Sequence, residues 1–288
     1  MERGDGGGHD GAAASGRRDR RDAAVVRERP DRDREVTRIA AHRGGGALWP
    51  ENSLLAFGSA IALGCDLLEL DVHLTRDGTV AVIHDATLER TTDGAGPVAS
   101  STAADLRRLR LRGPGAALTA EHVPTLDEVL AATSAATAPV GLLVEVKGAA
   151  PGVRYEGLEE LVLAALARAG LQARATVMAF NPDVIARVKA LAPRARTTFL
   201  ASRGAVARAG ARPEQTVDWA LAAGVTDLGV EYTLADERLV AAARAANLAL
   251  GVWTVNDPED IRRMLDLGVD IITSDRPDLA KRLQRGPA

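Results

Sequence analysis

Apolar runs with strand character alternate with amphipathic helical segments along most of this chain. Nine runs rich in aliphatic residues predict strands at 38–42, 67–74, 79–84, 140–147, 174–180, 196–201, 227–232, 249–255 and 270–273. Apolar residues that recur with helical spacing predict helices that include 52–64, 157–169, 182–192, 214–223, 235–246 and 257–267. This alternation is typical of an α/β fold that is built around a parallel sheet.

Local sequence signals support the predicted helix ends. Glycines close four of the helical segments, as expected at helix C-termini, and they are Gly64, Gly170, Gly224 and Gly268. Two other helices are predicted to begin with an N-cap residue followed by a first-turn proline, at Asn181-Pro182 and at Asp257-Pro258.

Nine strands suit an eight-stranded barrel with one additional strand. Asp77-Gly78 separates the runs 67–74 and 79–84, and this dipeptide is typical of hairpins, so we expect these two strands to pair antiparallel. A doubly wound open sheet is the alternative fold. However, the glycine-rich segment 42–46 lacks the GxGxxG spacing of a dinucleotide-binding turn. We therefore predict a (β/α)8 barrel of the TIM type.

The chain divides into a short polar tail and one large domain. Residues 1–35 mix Gly, Arg and Asp without an apolar run, and such a segment cannot bury enough surface to offset its chain entropy. We therefore expect a disordered tail over 1–35 and a barrel domain over 36–288. Residues 91–126 interrupt the alternation with several Gly and Pro residues, which predicts an insertion over one end of the barrel.

Composition excludes several classes of function. The 288 residues carry a formal net charge of −3 and only 3% aromatic residues, which argues against a nucleic-acid partner. The sequence contains no segment suited to stable membrane insertion and no secretory signal. The single cysteine, Cys65, leaves no intramolecular disulfide and no thiolate metal cluster, and it fits the reducing cytoplasm, where we expect the protein.

Histidines and carboxylates stand at the ends of predicted strands. Two short apolar runs end in His42 and His84, and Glu69 and Asp71 lie two positions apart in another apolar run. Side chains two apart on a strand share a face, so one strand presents both carboxylates together. His73 shares that face and could also approach the site. Histidines beside paired carboxylates are suited to metal-assisted acid–base chemistry.

A third carboxylate follows the same pattern, because Glu145 and Lys147 lie two apart in a further strand. Three converging carboxylates repel one another, and a hard divalent cation such as Ca²⁺ or Mg²⁺ would remove that conflict. The alternative is a structural network in which Glu69 and Asp71 pair with arginines. With a divalent cation, Arg43 and Lys147, such a site would carry one net positive charge and would favour a phosphodiester monoanion.

Six segments together resemble the glycerophosphodiester phosphodiesterase family. They are HRGGGALWPENSLLAF, ELDVHLTRDGTVAVIHDATLERTTDG, VPTLDEVL, EVKG, VWTVN and IITSDRPD. The segments occur in the family's order between His42 and Pro277. The resemblance implies a (β/α) barrel and a metal-dependent hydrolase that cuts glycerophosphodiesters into glycerol 3-phosphate and an alcohol.

The resemblance also implies roles for individual residues. His42 of HRG and His84 of HD would be the catalytic acid–base pair. Glu69 and Asp71 of ELD, with Glu145 of EVK, would hold the cation.

Further roles follow from the flanking motifs. Arg43 and Lys147 would contact the phosphate, and Trp253 of VWTVN would line the glycerol pocket. Glu51 of PEN would ligate the cation or orient the site. Glu231 has no firm counterpart in the core motif, so its role stays open.

The histidine pair motivates a mechanistic hypothesis. One histidine deprotonates the glycerol hydroxyl next to the ester, which attacks phosphorus, and the other protonates the leaving alcohol. Water then opens the cyclic glycerophosphate with the roles of the histidines exchanged. Direct attack by a metal-activated water is the competing route.

A barrel of this kind is compatible with other functions. A lysophospholipase D or a sphingomyelinase D-like enzyme would act on lipids, and a catalytically silent barrel would only bind phosphodiesters. A metal-dependent sugar isomerase or aldolase is a further possibility, because fold alone does not define function. The expected partner is a small-molecule glycerophosphodiester, while the alcohol, the cation in the cell and the oligomeric state are not predicted.

Overall fold

A computed structural model describes Met1, residues 36–150 and residues 152–286 of this protein. The tail predicted over 1–35 therefore lies outside the described residues, apart from Met1. The strands are β1 (Arg38–Ala41), β2 (Leu67–Leu74), β3 (Val80–Val82), β4 (Gly141–Val146), β5 (Ala175–Ala179), β6 (Arg196–Ala201), β7 (Asp227–Glu231), β8 (Ala249–Trp253) and β9 (Ile271–Ser274). The helices are α1 (Leu54–Leu63), α2 (Ala103–Leu106), α3 (Leu126–Ser134), α4 (Leu158–Arg168), α5 (Pro182–Leu191), α6 (Arg203–Arg208), α7 (Thr216–Ala222), α8 (Glu237–Ala245), α9 (Pro258–Leu267) and α10 (Pro277–Gln284).

Eight strands close into a parallel barrel. The order is β1-β9-β8-β7-β6-β5-β4-β2, and β1 also pairs with β2, which closes the ring. The ninth strand, β3, pairs antiparallel with β2 through Val72 and Val82. The predicted (β/α)8 barrel and the predicted hairpin are both confirmed. The carboxyl ends of the eight parallel strands therefore open on one face, where barrel enzymes place their active sites.

Side-chain alternation divides the barrel into two apolar layers. Leu68, Leu70 and Val72 of β2 belong to the large core that includes the surrounding helices. Leu67 of the same strand belongs to a smaller cluster with Leu143 and four other residues, namely Ala40, Met178, Leu200 and Ile271. Because side chains two apart on a strand share a face, the positions that follow Leu67 on its side also point inward. These positions are the ones that carry the polar residues of the site.

Capping residues fix several helix ends as predicted. The side chains of Asn181 and Asp257 accept hydrogen bonds from the backbone at the starts of α5 and α9. Gly64 and Gly268 adopt left-handed conformations directly after α1 and α9. Such a conformation costs little without a Cβ atom, which explains why glycine ends these helices.

The segment 91–126 builds a small core of its own. It contains the short helix α2, and isolated bridges join Thr92 to Leu111 and Arg112 to Leu118. Val98, Leu106 and Leu111 pack with residues of β3 and its flanks. Helix α3, which follows, was not among the predicted helices.

Within the described residues, no helix is both long and apolar enough to span a lipid bilayer.

Candidate active site

A tight turn at the end of β1 presents His42 and Arg43 at the barrel mouth. The 3-10 helix His42–Gly44 follows the strand at once, and its backbone turns through positive φ angles at Arg43 (52°) and Gly44 (82°). The backbone N–H of Asn52 donates to the carbonyl of Arg43 at 2.9 Å, which ties this turn to the next segment. The turn is therefore a fixed platform for the two side chains.

The Gly44→Ala variant is expected to lose about 1–3 kcal/mol of unfolding free energy and to lose activity. A Cβ atom at Gly44 would lie 2.7 Å from the Cβ of Ala56, and the positive φ angle disfavours any side chain. Denaturant unfolding measures the change. Gly58→Ala in α1 is the control, because its Cβ would meet nothing within 4 Å and alanine favours helices. Equal stability of Gly44→Ala and wild type would contradict the argument.

Three carboxylates converge on the inner face of β2 and β4. Glu69, Asp71 and Glu145 are 3%, 1% and 9% exposed. Each can offer one oxygen so that the three oxygens lie within 4.8 Å of one another. The strand register explains the convergence, because Asp71 of β2 lies opposite Glu145 of β4. A cluster of buried carboxylates of this kind requires positive charge nearby.

Basic side chains supply part of that charge. The Lys147 ammonium lies 2.8 Å from Asp71 Oδ1 and 2.6 Å from Glu145 Oε1. Nε of Arg43 lies 3.4 Å from Asp71 Oδ2, and the side-chain amide of Asn52 donates to that same oxygen at 2.9 Å. Burial alone would raise the pKa of Asp71, but Lys147 and Arg43 outweigh burial and hold this pKa well below its usual range.

Nearby positive groups balance the charges of Glu69 and Glu145 less well than that of Asp71. Burial, reinforced by the neighbouring Asp71 carboxylate, raises the pKa of Glu69 to about 8. Burial also raises the pKa of Glu145, although Lys147 opposes that shift. In these surroundings Glu69 takes up a proton near neutral pH, which is the expected behaviour of crowded acids without a cation.

The donor set fits a hard divalent cation. All three groups are carboxylates, the oxygen ligands that Ca²⁺ and Mg²⁺ prefer. Asp71 Oδ1 is buried and pairs with the Lys147 ammonium at 2.8 Å. Three buried carboxylates with oxygens within 4.8 Å of one another carry more negative charge than Lys147 and Arg43 offset, and a bound cation would neutralise the remainder.

Each of the two predicted catalytic histidines pairs with its own carboxylate. His42 Nδ1 lies 2.7 Å from Asp275 Oδ1, and His84 Nδ1 lies 2.6 Å from Asp85 Oδ1. An ionised carboxylate only accepts, so both Nδ1 atoms donate and both Nε2 atoms remain for substrate. His42 Nε2 lies 3.9 Å from Glu69.

The surroundings shift the pKa values of the two imidazoles in opposite directions. Burial works against the imidazolium of His42, but Glu69 and Asp275 together raise its pKa. Burial lowers the pKa of His84, and Asp71 only partly offsets this. A pair of groups with pKa values pushed apart is the arrangement that acid–base catalysis needs.

The cavity at this face has an ionic end and an apolar end. It measures about 750 Å³ including its open mouth. His42 and His84 line it together with the acidic and basic groups, and aliphatic residues of the inner barrel line the rest. Phe180 and Trp253 pack edge to face, with ring centroids 5.5 Å apart. Nε1 of Trp253 is buried without a hydrogen-bond partner among the described residues, so it can donate to a ligand.

Seven of the predicted site residues line this one cavity, namely His42, Arg43, Glu69, His84, Glu145, Lys147 and Trp253. Asp71 lies behind them in contact with Lys147. Glu51 has a different position, because its carboxylate binds Arg43 and Arg90 and is not part of the three-carboxylate cluster. The contact with Arg43 fits the predicted orienting role of Glu51, and its predicted role as a cation ligand stays a prediction.

Two residues with open roles have structural partners. His73 is buried beside the site, where Nε2 donates to the carbonyl of His84 at 3.0 Å and Nδ1 lies 2.9 Å from the Tyr155 hydroxyl. Glu231 accepts a hydrogen bond from the backbone N–H of Arg203. His73 therefore binds the backbone of His84, whereas Glu231 is not among the residues that line the cavity.

Several functional contacts were not predicted from the sequence. Asp85 and Asp275, which orient the histidines, stand inside the HD and SDRPD motifs, but no role was inferred for either residue. Asn52 and Arg90 stand in the PEN and LER motifs and bind Asp71 and Glu51. The motif membership of these four residues was the signal that could have identified them.

Known proteins resemble this chain over nearly the whole barrel. Residues 42–279 match the Glycerophosphoryl diester phosphodiesterase family. A glycerophosphodiester phosphodiesterase of Caldanaerobacter subterraneus subsp. tengcongensis is 33% identical over 86% of this chain and 98% of its own. A solved Agrobacterium tumefaciens structure assigned to the glycerophosphoryl diester phosphodiesterases is 32% identical, with a TM-score of 0.79, and covers 87% of this chain and 98% of its own.

A third relative is known with a product. An Oleispira antarctica phosphodiesterase, solved in complex with sn-glycerol-3-phosphate, is 26% identical with a TM-score of 0.70 and covers 86% of this chain and 96% of its own. Barrel topology, site geometry and these matches agree, so the fold and the site define a barrel hydrolase for phosphodiesters. This chain belongs to the glycerophosphoryl diester phosphodiesterase family.

Proposed function

We propose that this protein hydrolyses glycerophosphodiesters to glycerol 3-phosphate and an alcohol in a cation-dependent reaction. The observation that carries the proposal is one cavity lined by two carboxylate-bound imidazoles and by Glu69 and Glu145, which form a three-carboxylate cluster with Asp71 behind them. Membership of the family adds the substrate class, because a relative was solved with sn-glycerol-3-phosphate as its product.

Glu69, Asp71 and Glu145 would hold the cation, for which we propose Ca²⁺ or Mg²⁺. A bound divalent cation neutralises negative charge on a phosphoryl oxygen and makes phosphorus a better electrophile. Arg43 and Lys147 line the same cavity and would bind the phosphate by charge-assisted hydrogen bonds. Together these groups orient the phosphodiester between the two imidazoles.

The histidines would move the protons of the reaction. Nε2 of one imidazole takes the proton of the glycerol hydroxyl next to the ester, and that oxygen forms a bond to phosphorus. The bond from phosphorus to the alcohol oxygen breaks, and the other imidazole donates its Nε2 proton to that oxygen. Water then opens the cyclic phosphate with the two roles exchanged, so both imidazoles return to their starting states.

The apolar end of the cavity would hold the glycerol carbons. Phe180 and Trp253 present ring surface there, and Nε1 of Trp253 would donate to a glycerol hydroxyl. We also keep the cytoplasm as the proposed location, supported by the single buried thiol of Cys65.

A coupled assay for glycerol 3-phosphate tests the function. Glycerophosphocholine, glycerophosphoethanolamine and glycerophosphoglycerol are expected to release glycerol 3-phosphate, and lysophospholipids are the comparison substrates. An analogue without the hydroxyl next to the ester is expected to resist cleavage, because the cyclising step needs that oxygen. Cleavage of the analogue would favour direct attack by water. Cleavage of lysophospholipids alone, followed as release of the head-group alcohol because the acylated product is lysophosphatidic acid, or cleavage of no substrate, would contradict the proposal.

A further inference from the structure

An arginine that borders the 91–126 segment joins the His84 side of the site to the Arg43 side. Arg90 donates to Asp85 from Nε at 2.6 Å and from Nη2 at 3.0 Å. It also donates to Glu51 from Nη1 and Nη2, at 2.8 Å each. The same guanidinium thus holds two carboxylates, of which Asp85 binds His84 and Glu51 binds Arg43.

We propose that Arg90 is a positioning residue that fixes the His84 imidazole through Asp85 and the Arg43 guanidinium through Glu51. The inference rests on the proposed function, because it assigns Arg90 to the support of the groups that move protons and bind phosphate.

The hydrogen bonds on Asp85 leave its carboxylate one orientation. Oδ2 accepts from Nε of Arg90, while Oδ1 accepts from Nη2 of Arg90 and from Nδ1 of His84. Both oxygens are therefore held, and the imidazole that donates to one of them has a fixed direction. A planar guanidinium can make such a double contact, whereas the point charge of a lysine cannot.

The backbone beside Arg90 is rigid, which makes it a suitable anchor. Both the N–H and the hydroxyl of Thr92 donate to the carbonyl of Leu88, at 3.0 and 2.7 Å. The N–H of Arg112 donates to the carbonyl of Thr91 at 2.7 Å. Leu88, Thr91 and Thr92 are all buried, whereas the Arg90 side chain is 47% exposed. Neighbouring residues do not enclose the guanidinium, so its hydrogen bonds to Asp85 and Glu51 determine its position.

Arg90→Met removes the guanidinium and keeps most of the aliphatic stem. We expect kcat to fall by about 10- to 100-fold through His84, and KM to rise through Arg43. Asp85→Asn should mainly lower kcat, and Glu51→Gln should mainly raise KM. In the Asp85→Asn background, Arg90→Met should lower kcat little further, because Arg90 orients His84 only through the Asp85 carboxylate, which is already absent. Arg90→Lys should recover only part of the loss.

Arg110→Met is the matched control, since Arg110 pairs with Asp93 in the same segment away from the cavity. It should leave kcat and KM unchanged, and thermal unfolding should show all variants folded. Wild-type kcat and KM in Arg90→Met, full activity in Arg90→Lys, or fully multiplicative effects of Arg90→Met and Asp85→Asn would each overturn the positioning role.

The ¹⁵N chemical shifts of the His84 ring give a readout that does not depend on turnover. In the wild type, His84 should be the Nδ1–H tautomer, because Asp85 can only accept. Arg90→Met should shift the population towards Nε2–H, and Arg110→Met should not. An unchanged tautomer in Arg90→Met overturns the inference. If the wild type is inactive but Arg90→Met still shifts the His84 tautomer, the proposed function is refuted and the positioning role of Arg90 stands.

Discussion

The variants His42→Ala and His84→Ala are expected to lose about 10²- to 10⁴-fold in kcat while they keep the wild-type fold. Each variant removes one of the two groups that we propose to exchange protons with substrate, and its partner carboxylate cannot replace it. The loss should fall on kcat more than on KM, because neither imidazole is needed to hold the phosphate. Steady-state kinetics of glycerol 3-phosphate release measure both constants.

His122→Ala is the control for this prediction. His122 is a half-buried histidine of the 91–126 segment and lies 3.8 Å from Glu128, outside the cavity lining. It should retain full activity. The His42→Ala/His84→Ala double variant should be little worse than either single variant, because each histidine works only with the other. Near-normal turnover of either single variant would refute the assigned acid–base pair.

The sequence predicted the placement of the acids because strand periodicity is a local rule. Leu67, Glu69 and Asp71 alternate with Leu68 and Leu70, and the structure puts the first three on the inner face. The antiparallel pairing of β3 could likewise be predicted, because a turn dipeptide acts within a few residues. Information of this kind lies within about ten residues of chain and needs no knowledge of the tertiary fold.

Contacts between distant segments could not be predicted in this way. Asp275 meets His42 across 233 positions of sequence, and this pairing exists only because β9 lies beside β1 in the closed barrel. The position of Glu51 depends on Arg90, which lies 39 residues further along the chain. A carboxylate near a predicted metal site can bind a cation or an arginine, and only the folded geometry decides between the two.

Helix α3 was not predicted from the sequence, and the reason is different. Its N-cap residue Thr125 and its third residue Glu128 form a capping box, which is a recognisable signal. Glycine and proline nearby made the segment 91–126 look irregular up to the start of that helix. The local signal was present, but the segment predicted to be irregular extends to residue 126 and includes the start of this helix.

Removal of divalent cations is expected to abolish turnover, and added Ca²⁺ or Mg²⁺ should restore it. The three acids are buried, and without a cation their negative charge, of which protonation of Glu69 removes only part, disfavours binding of a phosphodiester anion. Glu69→Gln and Glu145→Gln should each weaken cation binding about 10- to 100-fold in calorimetric titration. Glu237→Gln, which removes an exposed acid from α8, is the control. Unchanged activity in chelator would refute the cation site.

Cation binding should also release a proton near neutral pH. In the cation-free protein, burial and Asp71 raise the pKa of Glu69 to about 8, from 4.5 in an unfolded chain. Between these values the folded state holds a proton that the unfolded state lacks, so this group makes the cation-free protein less stable as pH rises. A bound cation favours the ionised form of Glu69 instead, so this carboxyl must lose its proton when the cation binds. Calorimetry at about pH 6.5 in buffers of different ionisation enthalpy should therefore detect proton release that vanishes above about pH 9. Glu69→Gln should release fewer protons, and a binding enthalpy independent of buffer at pH 6.5 would contradict the expected protonation of Glu69.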